Sequence, residues 1–534
     1  MSDGSEWWRS AVIYQIYPRS FQDTNADGIG DLPGITSRLE YIAGLGVDGI
    51  WISPFFPSPM KDFGYDVSDY RNVDPVFGTL KDFKTLLENA HSRQLKVIID
   101  LVLSHTSDRH PWFLQSRTDK SNSKADWYVW ADPKAGPDGT RLPPNNWVSV
   151  FGGGAWTFDE TRGQYYLHNF LPEQPDLNYH NPEVQQEALD IARFWLDLGV
   201  DGFRLDTVNF YFHDRLLRDN PPRTEGVTYA TQLEADVPYS RQQHIYDKSR
   251  PENLEFIERL RALMDEYPGT FTIGEIGDDH PYRLAHIYTS GDKRLHCTYN
   301  THMMSGTVKK LTEDMIREPV EEFYSAHDPA SPDPGWPGWA FSNHDVVRAA
   351  SRWYKPYRHD PACSKMLLAL LLCLPGTVFV YQGEELGLPE AEIPFDRLQD
   401  PWAKQTWPVW QGRDGCRTPL PWTETQQCGF SKAAPWLPIP ENHKNLAVSV
   451  QENDPSSTLN AFRKYMEWRK SRRKNWNQGR TAFIATGNPH ILHIAREYNG
   501  SGKTDCLFNL SGTPQNNLEA YEIRIDGPSG KKTS

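Results

Sequence analysis

Short β-rich runs alternate with segments of helical periodicity along most of this 534-residue chain, and that alternation limits the fold more than any other feature. The runs are 11–17, 47–53, 96–103, 202–207, 271–276, 295–299, 339–343 and 377–381, eight in all. Eight strands with helices between them predict an α/β fold, a (β/α)8 TIM barrel, which needs ~250 residues. The helix before the fourth run shows the local grammar. Asn181 is its N-cap and Pro182 takes the first helical position. Val184, Ala188, Ile191, Phe194, Trp195 and Leu198 recur at helical intervals, and Gly199 stops the helix.

Two stretches interrupt the alternation. Residues 106–178, rich in Gly, Pro, Trp and Asp, are far longer than a usual connection and read as a small subdomain or a lid. A second Pro- and Trp-rich stretch runs from 383 to 456, and a helix over 459–472 follows it. The tail alternates in short β-like runs at 482–485, 490–494, 506–510 and 521–525. The expected divisions are 1–104 as the first part of the barrel, 105–174 as an inserted subdomain, 175–473 as the rest of the barrel, and 474–534 as a C-terminal antiparallel β domain.

Three carboxylates each close a strand-like run: Asp206, Glu275 and Asp345. The C-terminal ends of parallel barrel strands are where reacting groups collect. A pair of carboxylates across a pocket is what cleavage of a glycosidic bond requires. A lone acid of this kind is more often a helix cap or a solvated charge. Arg204 alters that balance, because it shares a strand face with Asp206 and would hold it ionised for nucleophilic attack.

The loop Asp23, Asn25, Asp27, Ile29 and Asp31 places oxygens at alternate positions, the Ile29 oxygen being a carbonyl, as in loops that wrap a hard cation. Position 12 is Gly34 rather than Glu, so this is no EF-hand. The competing reading is a set of Asx turns needing no ion.

A net charge of −14 argues against nucleic acid or an anionic membrane as partner. No apolar run reaches the roughly 18 residues of a membrane span, and the run at 366–374 reads as a core helix. The N-terminal residues show no basic or apolar leader pattern, which gives a cytoplasmic expectation. The six cysteines lack metal-ligand spacing and read as free thiols. The basic run 469–474 reads as a solvated helix end. Nineteen tryptophans exceed what a core needs, and flat aromatic faces suit sugar rings.

Several linked motifs stand in one order: Asp100-Leu-Val-Leu-Ser-His105, Gln174-Pro-Asp-Leu-Asn178, Gly202-Phe-Arg-Leu-Asp206, the Glu275 strand, and Asn343-His344-Asp345. With these the chain resembles the α-amylase superfamily, glycoside hydrolase family thirteen, in its oligo-1,6-glucosidase and α-glucosidase branch. The resemblance covers nearly the whole length. It implies Asp206 as nucleophile, Glu275 as general acid/base and Asp345 as a third acid that holds sugar hydroxyls. It further implies that His105 and His344 bind the non-reducing glucose, that Arg204 orients Asp206, and that Tyr65, Asp66 and Arg413 form the subsite. Phe151, Phe170 and Thr207 complete the expected substrate contacts. A bridge from Asp66 to Arg413, or to Arg417 in its place, would close the pocket around one glucose. Ser104 departs from the family's usual Asn.

The resemblance also implies one structural Ca2+ or Mg2+ in the 23–31 loop, no organic cofactor, and small oligosaccharides, glucosides and alcohol or sugar acceptors as partners. The expected activity is an exo-acting, retaining α-glucosidase with transfer activity, favouring α-1,4 and sucrose-type links. A trehalose- or isomaltulose-forming relative is the nearest alternative. The Arg-Leu-Asp-Arg-Asp stretch of sucrose-isomerising relatives is missing. A non-catalytic, transporter-associated relative would have lost the acids, and all three are present.

Overall fold

The computed structural model describes residues 6–223, 237–300, 302–304, 310–325, 335–354, 359–408, 410–498 and 502–526. Eight strands, β1 (Val12–Ile16), β2 (Gly49–Ile52), β3 (Lys96–Leu101), β4 (Gly202–Leu205), β5 (Phe271–Ile276), β6 (Cys297–Asn300), β7 (Gly338–Ala340) and β8 (Thr377–Tyr381), form one sheet in the order β6-β5-β4-β3-β2-β1-β8-β7. Every pairing in it is parallel. A parallel bridge between Thr298 and Pro337 spans the seam between β6 and β7, so the sheet is almost closed into a barrel. Each strand predicted from the sequence is present. Asp345 lies five positions beyond the last residue of β7, on the loop that follows, rather than at the strand end itself.

Side chains alternate along a strand, and the alternation separates core from chemistry. On β1, β3, β5 and β6 the inward positions begin with Ile13, Ile98, Ile273 and Cys297, which pack in the barrel interior with Trp51 and Phe379. Two residues further on, the same faces carry Gln15, Asp100, Glu275 and Tyr299, all buried. The interior is therefore apolar below and polar above, at the C-terminal ends of the strands. The outward face of the sheet joins the helices in the main core. In that layer α1 (Pro182–Asp197) begins as the sequence predicts, with the Asn181 side chain accepting from the Glu183 amide. Its Trp195 is fully buried and donates to the Tyr70 carbonyl at 2.8 Å.

Residues 130–167 include a three-stranded antiparallel sheet (Trp130–Ala131, Trp156–Asp159, Gln164–Leu167) beside the top of the barrel. The loop after it is fixed by buried Asp176, which accepts from the Asn169 amide at 2.8 Å and the Asn169 side chain at 2.7 Å. C-terminal strands Arg480–Phe483, Ile491–Tyr498, Gly502–Asn509 and Ile523–Asp526 form a four-stranded antiparallel sheet.

The basic run at 469–474 is not wholly a solvated helix end. Arg469 is buried and donates to the carbonyls of Leu372, Ser10 and Gly376, joining helix Thr458–Ser471 to the base of the barrel. All six cysteines are free and buried. Among the described residues no helix is long and apolar enough to cross a membrane.

Candidate active site

A pocket opens at the C-terminal ends of the strands, lined by Asp206, Glu275, Asp345, Tyr65, His105, Thr207, Phe151, Phe170 and Arg413, together with Asp62, Gln174, Val150, Phe210, Gly277 and Trp402. The first nine are residues the sequence nominates. Arg204 and His344 lie directly beneath and bond to this lining.

Arg204 is the centre of the site. Its guanidinium is fully buried, with Nη1 at 2.6 Å from Asp206 Oδ1 and 2.7 Å from Asp100 Oδ1, and with Nη2 on Glu275 Oε2. Tyr299 Oη accepts from Nε at 3.2 Å and from Nη2 at 3.0 Å. One cation thus serves three carboxylates, and burial sets their protonation. Burial pushes Asp206 up to about 7, the charges of Asp100 and Asp345 push the same way, and Arg204 opposes them. Burial also pushes Glu275 up to about 7, with Asp206 and Asp345 adding to the rise. The expectation that Arg204 holds Asp206 ionised is opposed by burial first and by the neighbouring acids second. Asp345 goes the other way. Burial works against its charge, but the guanidinium groups of Arg417 and Arg413 outweigh burial and hold it well below the usual carboxylate range.

His344 is oriented from behind. Gln15 Nε2 stands 2.8 Å from Nδ1 and donates to it, which leaves the ring proton on Nε2, 2.6 Å from Tyr65 Oη and 3.2 Å from Asp345 Oδ2. Tyr65 in turn donates to Asp100 at 3.0 Å. Burial lowers the His344 ring to about 3, so it is neutral at physiological pH. Thr207 turns the chain sharply after Asp206, at φ 39° and ψ 49°. A β-branched residue in the left-handed region costs about 1–3 kcal/mol. The turn aims the Thr207 amide at Glu275 Oε2, 3.3 Å away.

The expected Asp66–Arg413 bridge is not formed. Asp66 accepts from the Ser58 hydroxyl at 2.8 Å and the amides of Lys61 and Asp62 at 2.9 and 3.0 Å, so it folds the loop. Asp62 takes the place assigned to it, 2.7 Å from Arg413 Nη2. Arg413 also meets Asp400 at 2.9 Å and Asp345 at 3.3 Å, while Arg417 meets Asp345 at 2.6 Å. Both arginines therefore hold Asp345, which lines the pocket. Phe151 stacks on Trp402 with centroids 4.6 Å apart, and Phe170 lies 5.3 Å from the His105 ring.

Sequence reasoning missed Asp62, Asp100, Gln174, Tyr299 and Trp402 as site residues. Asp100 carries the same signal as the three nominated acids, a carboxylate near the end of a strand. Asp62 lies within the Asp62-Phe-Gly-Tyr-Asp66 motif, where it competes with Asp66 for the same role. Trp402 is one of the surplus tryptophans whose faces suit sugar rings, but nothing local in the sequence says that it reaches the pocket, because the long stretch after β8 delivers it together with Asp400.

In the 23–31 loop the side-chain oxygens serve the loop's own amides. Asp23 accepts from Ala26 and Gly28, Asn25 from Asp27, and Asp27 from Ile29. Asp31 caps the helix Leu32–Ser37 and accepts from the Thr24 amide and hydroxyl. No group of three His, Cys, Asp or Glu side chains suited to a metal ion occurs among the described residues. The donor types fit a hard cation, since a carboxylate keeps further lone pairs after accepting an N–H. Asx turns account for the observed bonds.

The match to the α-amylase catalytic-domain family spans residues 15–479. The chain belongs to that family. A probable α-glucosidase of Rhizobium meliloti (strain 1021) is 56% identical over 507 residues, 95% of this chain and 90% of the relative. An oligo-1,6-glucosidase of Heyndrickxia coagulans is 37% identical over 539 residues, covering 95% and 92% of the two chains. The crystal structure of the α-glucosyl transfer enzyme XgtA superposes with a TM-score of 0.91 at 52% identity, over 98% of this chain and 95% of that one.

Proposed function

We propose that the chain is an exo-acting, retaining α-glucosidase that removes the non-reducing glucose from short α-glucosides and also transfers it to sugar or alcohol acceptors. The observation that carries this reading is the Arg204 fork, whose two terminal nitrogens touch Asp206 and Glu275. Two carboxylates on one guanidinium favour the close spacing of about 5–5.5 Å used for a covalent intermediate over the wider spacing that admits a water. Asp206 attacks the anomeric carbon while Glu275 gives its proton to the departing oxygen. Water or another alcohol then attacks the glucosyl-enzyme, and Glu275 takes the proton back. The ion pairs of Arg413 with Asp62 and Asp345 lie in the pocket lining, where the family resemblance expects a bridge that closes the pocket around one glucose, and this supports release from the chain end. The similarity to a glucosyl transfer enzyme supports the transfer arm.

Asp206→Asn tests the reading, because an amide cannot form the ester. Turnover of p-nitrophenyl α-glucoside should fall by several orders of magnitude, about 10⁴-fold or more, with the melting temperature not lowered. Activity within tenfold of the parent would remove Asp206 from the mechanism. Glu275→Gln should still glycosylate itself with this substrate and then stall, leaving a covalent glucosyl adduct visible by intact mass.

A further inference from the structure

Ser104 is buried below the pocket, its Oγ 2.9 Å from His105 Nδ1 and 3.1 Å from Thr207 Oγ1. The direction of both bonds is set from the far side of the imidazole. His105 Nε2 lies 3.0 Å from the Tyr65 carbonyl, which can only accept, so the ring proton sits on Nε2 and Nδ1 is an acceptor. Gln174 Nε2 is also near, at 3.1 Å, but its amide is oriented by Asp62 Oδ2 at 3.3 Å and by the Leu171 amide at 3.0 Å. Ser104 therefore donates its single proton to His105. Its oxygen is left as an acceptor, and the neighbour able to fill it is the Thr207 hydroxyl.

That hydroxyl has a second option. Asp206 Oδ2 is 3.3 Å from Thr207 Oγ1. Oδ1 of the same carboxylate takes the Arg204 hydrogen bond, so Oδ2 is the oxygen that no guanidinium hydrogen bond holds among the described residues, and the one left to attack. A hydrogen bond donated to it would stabilise the anion before reaction and blunt it as a nucleophile. We propose that Ser104 is a positioning residue for the nucleophile: by accepting the Thr207 proton it keeps that proton off Asp206 Oδ2. The inference rests on Asp206 being the nucleophile.

A double-mutant cycle tests it. Ser104→Ala removes the acceptor, and Thr207 then turns its proton to Asp206. The kcat/KM for a substrate limited by glycosylation should fall about 3–10-fold, with kcat affected more than KM. The acid limb of its pH profile should move to lower pH, because a donated bond lowers a carboxylate's pKa. In a Thr207→Val background no hydroxyl is there to turn, so adding Ser104→Ala should leave the acid limb in place and cost clearly less. The lost His105 bond is common to both backgrounds and cancels. Ser104→Thr, which keeps a hydroxyl, should behave like the parent. Ser104→Cys, a poor acceptor of similar size, replaces the alanine variant if that one unfolds. Equal losses in the two backgrounds, or an acid limb in Ser104→Ala that stays put, overturn the proposal. Asp206→Asn separates the two levels: if that variant is active the functional reading fails, and if it is dead while the cycle is additive only this inference fails.

Discussion

Arg413 meets three carboxylates at once, and removing it leaves Asp62, Asp345 and Asp400 facing one another in a buried wall. Breaking a buried pair of this kind costs about 3–5 kcal/mol. Arg413→Ala and Asp62→Ala should therefore destabilise the fold and, by misplacing Asp345 in the pocket, also lower kcat/KM on maltose by about 10²-fold or more. Asp66→Ala should instead show mainly as a lower melting temperature, since Asp66 holds loop amides. Equal kinetic damage from Asp62 and Asp66 substitutions would show that the wall is not built on Asp62. We propose that Thr207 sets the linkage preference on the same scale. With its proton on Ser104 it offers lone pairs to an aglycone hydroxyl, a bond worth about 1 kcal/mol, or roughly 5–10-fold in kcat/KM. The parent should prefer maltose and sucrose to isomaltose, and Thr207→Val should narrow or reverse the ratio. Isomaltose as the best disaccharide of the parent would end this argument.

The 23–31 loop is the element where two accounts compete. Its Asx turns satisfy the local amides without an ion, while the oxygen spacing suits a Ca2+ or Mg2+. We propose the cation as a stabilising ligand that takes no part in the chemistry. Chelation should then lower the melting temperature and re-addition of Ca2+ or Mg2+ should restore it, with the rate per folded molecule unchanged. A melting temperature indifferent to chelator and to added metal would favour the turns alone.

The site is paid for by the whole molecule. Asp100 is pushed up to about 6 by burial, and Asp206 and Glu275 to about 7. A carboxyl whose folded pKa is raised carries no penalty below its unfolded value, gains one as pH rises through the interval, and carries all of it above the folded value. Neutral Glu275→Gln should therefore melt higher than the parent at pH 8, by about 3 °C for a protein of this size, and at the same temperature at pH 4. Buried histidines such as His105, lowered to about 4, act in the opposite direction below about pH 6.5, and the comparison between variant and parent cancels them. The same two acids predict a narrow bell for kcat/KM near pH 7. Its acid limb reports protonation of the nucleophile and its alkaline limb loss of the Glu275 proton. A substrate with a good leaving group should soften the alkaline limb. A broad plateau from pH 5 to 9 would contradict coupled acids of this kind.

Strand and helix positions were legible in the chain because each depends on local periodicity and caps: β5 and β8 fall at their predicted bounds, and α1 starts at Pro182 behind its Asn181 cap. The acids were legible for the same reason, since a carboxylate ending an apolar strand stands out without knowledge of its neighbours. Which charges meet was decided only in three dimensions. Asp62 and Asp66 are four residues apart and chemically alike, and only the loop's folding turns one to Arg413 and the other to its own amides. Asp206 illustrates the same limit. Arg204 beside it in sequence suggests a low pKa, but burial and the carboxylates of Asp100 and Asp345 reverse the direction. A charge in a low-dielectric interior answers to every group around it, and that set is assembled by the tertiary structure.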